Sequence, residues 1–184
     1  MRREARTKAY VSLTDTAAFT LIELIAVVVI TMCLVMAVVA NWRQIVEKIG
    51  EARCMANMRA ITVGLHGHLQ DHANVWPQGP SPAQREQWES FWLNALEPYD
   101  VTAKTWQCRT FEGQLASAGM PREERPKIYY TPTMFPDTPG IATRWATHPW
   151  LIERGNAHGQ GALICFPDGS IKSFNKVLAE MGVR

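Results

Sequence analysis

Hydrophobic and polar positions alternate on two different scales along this chain. From Phe19 to Ala40 almost every residue is apolar, and Glu23 is the only charged side chain in the run. At about 1.5 Å per residue, a helix of about 22 residues spans a hydrocarbon core of about 30 Å, so the run predicts a transmembrane helix. Beyond Ala40 polar residues enter at helical spacing. No proline occurs before Pro77, and only Gly50, Gly64 and Gly67 weaken the pattern, so the helix is expected to continue to about Asp71, about 80 Å in all. Trp42 falls where an interfacial aromatic belongs.

Two apolar stripes run along the exported half. One contains Ile45, Ile49, Ala52, Ala56 and Val63; the other contains Cys54, Met58, Ile61, Leu65 and Leu69. Either the second packs on the chain's own C-terminal head while the first faces neighbouring subunits, or both enter one wide core contact. The helix exit carries His66, His68, Asp71 and His72, and the four-residue spacing of His68 and His72 could begin a zinc site. Without an HExxH pattern or further ligands nearby, a solvated helix end is the simpler reading.

The remaining pattern predicts a small mixed head. QREQWESFWLNALEPY places Trp88, Phe91, Trp92 and Leu96 at helical steps, and TWQCRTF and PKIYYTPTMF read as extended segments. Residues 132–149, rich in Pro and Thr, read as an ordered surface loop. ALICF and SIKSF flank PDGS, in which Pro167 presets φ, Asp168 can bond its own backbone and Gly169 tolerates positive φ, so a β-hairpin is predicted. The fold class expected is α+β: a long N-terminal helix, its lower half transmembrane, packed on a small antiparallel head.

Charge sets the orientation. Arg2, Arg3, Arg6 and Lys8 precede the apolar run against Glu4 and Asp15, so the positive-inside rule keeps that end cytoplasmic and exports the chain beyond Ala40. The net charge of +2 and pI of about 8.4 are too mild for a nucleic-acid binder. The run is also longer than the apolar core of a secretory signal, about 7–15 residues, which argues against ordinary cleavage after it.

With its basic leader, AAFTLIELIAVVVI resembles the cleavage and methylation signal of type IV prepilins and type II secretion pseudopilins. The resemblance implies processing by a prepilin peptidase/methyltransferase between Ala18 and Phe19, with Glu23 as the fifth mature residue. Ala18 stands where that family usually carries Gly. A carboxylate at membrane depth needs a partner, and the free amine of a neighbouring subunit's Phe19 can supply one, so Glu23 is the expected assembly residue. The alternative is a plain signal anchor in which Glu23 snorkels or stays protonated.

A second resemblance lies at the other end. His158 and Asp168-Gly169 are separated by nine residues, the His-x9-Asp-Gly pattern of a pilin-like subfamily of planctomycete and verrucomicrobial bacteria. Its functional reading has His158 and Asp168 meet as a hydrogen-bonded pair or share a cation; its structural reading has His158 fix a loop beside the turn. The implied organisation is a leader (1–18), a transmembrane half-helix (19–40), an exported half-helix (41–72) and a head (73–184) containing the 158–174 motif.

Four cysteines complete the candidate chemistry: Cys33 in the apolar run, then Cys54, Cys108 and Cys165. Export permits disulfides, and Cys54 with Cys108 is the preferred pair, clamping head to helix; otherwise all stay reduced and buried. Cys165, in the apolar ALICF run, reads as a small core residue. Glu86, Glu89, Glu123 and Glu124 read as solvated charges. No GxSxG, Walker A or GxGxxG motif is present, and no enzyme activity, cofactor or metal is expected. The function expected is that of a filament subunit in the inner membrane with a periplasmic or external head, whose partners are other pilin or pseudopilin subunits and not nucleic acid. The alternative is a membrane-tethered binding module that uses the seven tryptophans as a capture surface and never polymerises.

Overall fold

The computed structural model describes residues 20–182, which divide into two units at Trp42/Arg43. Helix α1, Leu21–Asp71, supplies residues to both. In the N-terminal unit every described side chain is exposed, and the helix is long and apolar enough to cross a membrane. Its few polar side chains find partners within the helix: the Thr31 hydroxyl donates to the Val27 carbonyl at 2.7 Å, and the Asn41 amide donates to Ala37 at 2.8 Å. Such internal pairing is what hydrocarbon demands, because lipid offers no substitute for water.

In the C-terminal unit one stripe of α1 is buried and the other is not. Cys54, Met58, Ile61, Leu65 and Leu69 are each 2% exposed or less, whereas Ile45, Ile49 and Val63 keep 39%, 47% and 69% of their surface. A single wide core contact is therefore excluded. Each fully buried aliphatic side chain contributes about 1.5–3 kcal/mol, enough to dock this part of α1 without help from intrinsic helix propensity. The helix stops where Ala73 and Asn74 take positive φ, and Asn74 N–H caps the Leu69 carbonyl at 2.7 Å. The Tyr99 hydroxyl donates to Asp71 at 3.0 Å beside that exit.

Helix α2, Arg85–Leu96, buries Trp88, Trp92 and Leu96 as its spacing predicts, then runs into a 3-10 turn at Glu97–Tyr99. Glu89 departs from the expectation of a solvated charge. It shares the inward face, is 2% exposed, and accepts the Lys127 N–H at 3.2 Å while Arg85 lies 3.6 Å away. TWQCRTF is also corrected. Trp106 and Cys108 are buried on either side of an exposed Gln107, which mimics a strand, but Cys108 is the N-cap of helix α3, Arg109–Ser117. Tyr129 reaches this segment through a single backbone bond, its N–H to the Trp106 carbonyl at 2.9 Å.

Four short strands form an antiparallel meander in the order β1-β2-β3-β4: Tyr130–Pro132, Leu151–Glu153, Leu163–Cys165 and Ile171–Ser173. Of the predicted extended segment PKIYYTPTMF, Tyr130–Pro132 forms β1, and Tyr129 and Thr133 on either side bond through their backbones to Arg154 and Trp150. The predicted hairpin is present, with Leu163 opposite Ser173 and Cys165 opposite Ile171. Its turn closes through Gly169 N–H to the Phe166 carbonyl at 3.0 Å, and Gly169 takes φ +75°. A final helix α4, Phe174–Glu180, completes the unit. The segment after β1 is less superficial than its composition suggests, for Phe135 and Ala142 are buried with Trp150.

Two glycines illustrate opposite demands on a helix. A Cβ on Gly64 would lie 2.5 Å from Val101 Cγ2, so α1 needs a bare backbone where the chain after α2 crosses it; Gly113 in α3 has nothing within 4 Å. Gly64→Ala is expected to destabilise by about 1–3 kcal/mol through overpacking, despite the better helix former. Gly113→Ala should stabilise by up to about 1 kcal/mol. Thermal unfolding of the full-length chain in detergent, followed by circular dichroism, distinguishes the two signs.

Candidate functional site

Four side chains with lone pairs converge inside the C-terminal unit. Cys54 comes from the buried stripe of α1, and Cys108 from the extended residue that opens α3, with φ −104° and ψ 107°. Glu153 ends β2. Alternation along that strand turns Leu151 and Glu153 inward and Ile152 outward, which commits a carboxylate to the interior. His158 sits in the next loop, which needs Gly155 at φ +77°, where a Cβ would strike the Phe111 ring at 2.8 Å. That loop is pinned by Gly161 N–H to the Asn156 side-chain oxygen at 2.9 Å and by Gln114 to the Ala157 carbonyl at 3.1 Å.

The resulting distances are short. Cys54 Sγ and Cys108 Sγ are 2.6 Å apart, Cys108 Sγ and His158 Nε2 3.8 Å, and His158 Nε2 and Glu153 Oε1 3.3 Å. One donor atom from each of the four lies within 4.8 Å of all the others, and among the described residues one such group occurs. The side chains of His158 and Glu153 are 2% and 0% exposed. Leu163 N–H donates to Glu153 Oε2 at 3.2 Å, which turns Oε1 toward the sulfurs, and Oε1 has no hydrogen-bond partner.

Burial sets the electrostatics here. It pushes the Glu153 carboxyl up to about 7, the neighbouring Cys108 sulfur adds to the rise, and His158 opposes it. Within the cysteine pair, the contact with Cys54 and then burial hold the Cys108 thiol up. Tyr130, buried beside Cys54 and raised by burial, keeps a hydroxyl with no hydrogen-bond partner. A groove of about 770 Å³ reaches Cys54, bordered by Ile49, Arg53 and Asn57 of α1 and by Gln107 and Thr110. Two sulfurs, an imidazole nitrogen and a carboxylate oxygen can hold a divalent cation, and two thiols alone can be oxidised to a disulfide.

The residues singled out in the sequence separate accordingly. Cys54 and Cys108 meet each other and His158. The functional reading of the motif, in which His158 meets Asp168, is not what the structure shows: Asp168 is exposed and accepts the Ser170 N–H at 2.9 Å, the Ser170 hydroxyl and then this N–H hold its carboxyl low, and Gly169 serves the turn. Neither reading of the motif anticipates that His158 joins a cysteine cluster. His68 and His72, in the last turns of α1 and just beyond its end, stack at 3.9 Å, and His72 Nδ1 contacts the His68 carbonyl at 2.9 Å. Cys165 is buried against the Thr62 hydroxyl at 3.1 Å, a core residue as expected. Glu153 escapes sequence reasoning because WLIERG carries no motif; only the in-out alternation of β2 marks it.

Glu23 lies in the first turn of α1. Thr20 donates to its Oε2 twice, from N–H at 2.9 Å and from the hydroxyl at 2.7 Å. This is a capping box, in which Thr20 and Glu23 satisfy the free donors of a helix start. Glu23 Oε1 has no partner among the described residues, and Ala18 and Phe19 lie outside them. Comparison with known proteins gives no match: no protein family, no curated protein and no solved structure resembles the chain closely enough to assign it.

Proposed function

We propose that the chain is a structural subunit of a pilus-like or pseudopilus filament, processed by a prepilin peptidase before Phe19 and assembled through α1. One observation carries this reading. The first half of α1 exposes an apolar surface on all sides, from Leu21 at 76% to Val39 at 69%, and its one carboxylate has an oxygen with no partner among the described residues. A lone anchor needs the grease but not the acid, which costs several kcal/mol at membrane depth by insertion scales. A helix that packs against copies of itself needs both: apolar surface for lateral contact and a polar pair for axial register.

The exposed stripe of Ile45, Ile49 and Val63 extends the same logic into the exported half, where α1 has apolar surface to offer neighbours. The rival reading, a tethered capture module, loses most of its aromatic surface. Trp76, Trp88, Trp92, Trp106 and Trp150 are all at 1% exposure or less and build the core.

Intact mass and N-terminal sequencing of the protein from its native membrane test the proposal. A mature chain beginning at methylated Phe19 is the expected result. A retained leader would favour the tethered module and count against a filament subunit.

A further inference from the structure

We propose that Cys54, Cys108, Glu153 and His158 form a structural zinc site that staples α1 to the β-sheet unit, a role independent of whether the chain polymerises. The donor set is the first reason. Two thiolates, an imidazole and a carboxylate match the borderline-soft character of Zn²⁺, which takes Cys, His and Asp/Glu ligands in tetrahedral geometry. Bond lengths of about 2.3 Å to sulfur and 2.0–2.2 Å to nitrogen or oxygen place tetrahedral ligands about 3.3–3.8 Å from one another. The His158 Nε2 to Glu153 Oε1 distance of 3.3 Å and the Cys108 Sγ to His158 Nε2 distance of 3.8 Å already have that spacing.

The second reason is the orphaned oxygen. Glu153 Oε1 is fully buried and aimed into the cluster by the Leu163 hydrogen bond to Oε2; its polar neighbour is His158 Nε2 at 3.3 Å, with no hydrogen-bond geometry between them. A buried carboxylate in that position is costly unless something satisfies it. Closing a Cys54–Cys108 disulfide would consume the two thiols and leave Oε1 as it is. A cation at the centre satisfies all four donors together, and the sulfurs, at 2.6 Å, then part by about 1 Å through side-chain rotation to the separation zinc requires.

Burial assigns the role. Cys54, Cys108 and Glu153 are each 2% exposed or less, which leaves no open coordination position for a reacting water, so the site is structural and not catalytic. The groove beside Cys54 supplies the entry path. Binding displaces the thiol protons to solvent and involves no change of oxidation state, since Zn²⁺ has no redox chemistry. The four ligands come from positions 54, 108, 153 and 158, so one ion ties together the helix, the start of α3 and the end of β2.

The test uses the full-length chain in detergent on a Cys33→Ser background, which removes the exposed thiol of the apolar segment. Thiols are alkylated at isolation from the native membrane and mapped by mass spectrometry, and a parallel unalkylated, reduced, metal-free sample is titrated with Co²⁺ as a spectroscopic probe. The proposal expects Cys54 and Cys108 to be recovered as thiols, and about one Co²⁺ per chain with thiolate charge-transfer and intense tetrahedral d–d bands. Glu153→Gln and His158→Ala should each weaken Co²⁺ binding at least about tenfold, whereas Asp168→Asn should leave it unchanged. If a variant fails to fold, the stoichiometry and spectrum of the parent chain still decide. A Cys54–Cys108 disulfide in the isolated protein, or a reduced chain that binds Co²⁺ without thiolate bands, overturns the proposal.

Discussion

Trp150→Ala should lower the stability of the C-terminal unit by about 3–5 kcal/mol, the range for deleting a large aromatic from a closed core. Trp150 has no exposed surface, and its ring lies 5.1 Å from Trp76 and 4.6 Å from His66 of α1. Its indole N–H donates to the Ala142 carbonyl at 2.8 Å, so truncation also strands a buried acceptor. Its backbone N–H donates to Cys165 at 2.9 Å, which holds it at the start of β2. One residue thus joins the helix, the sheet and the long segment after β1.

Total stability of about 5–15 kcal/mol makes that loss a large fraction, and at about 2–4 °C per kcal/mol the melting temperature should fall by about 6–20 °C. Trp145→Ala is the control. Trp145 is 49% exposed, and its removal should change stability by about 0.5 kcal/mol or less. Melting of both variants in detergent, followed by near-ultraviolet circular dichroism, checks the contrast. Equal melting temperatures would remove Trp150 from its proposed place as the keystone of the core.

Glu23 variants should show the largest functional effect. Glu23→Ala is expected to insert into the membrane normally, since it removes the only charge of the apolar run, yet to lose filament assembly almost completely. Loss on that change alone leaves two causes, because Ala also destroys the capping box with Thr20. Glu23→Gln separates them: glutamine can fill the same capping position but carries no charge to meet a neighbour's amine. If charge pairing sets the register, Gln assembles as poorly as Ala, by sheared-filament yield and electron microscopy. Filaments from the Gln variant at parental yield would reduce Glu23 to a helix cap.

Sequence distance separates the features of α1 that are legible in the chain from the cysteine cluster that is not. Helix α1 and the Leu163–Ser173 hairpin are local: a 3.6-residue stripe and a PDG turn draw on residues a few positions apart, so pattern alone locates them. TWQCRTF shows the limit of that reading. Burial alternates over Trp106–Cys108 as in a strand, but the chain turns into α3 one residue later, with Cys108 as its N-cap. Glu89 and Glu153 show it again, for both are ordinary acids in sequence and both are buried because their elements turn that face inward.

By itself the sequence determined the apolar run with its single acid, the buried stripe from Cys54 to Leu69, the α2 tryptophan face and the final hairpin, because each is encoded by neighbours along the chain. Only the tertiary structure decided that His158 faces Glu153 and Cys108 and not Asp168, and that Oε1 of Glu153 lies 3.3 Å from the His158 imidazole beside two sulfurs. Those four donors come from segments 50 and more residues apart for the cysteines and from a strand and a loop for the others. No local rule places them together; folding the sheet unit around one face of α1 does.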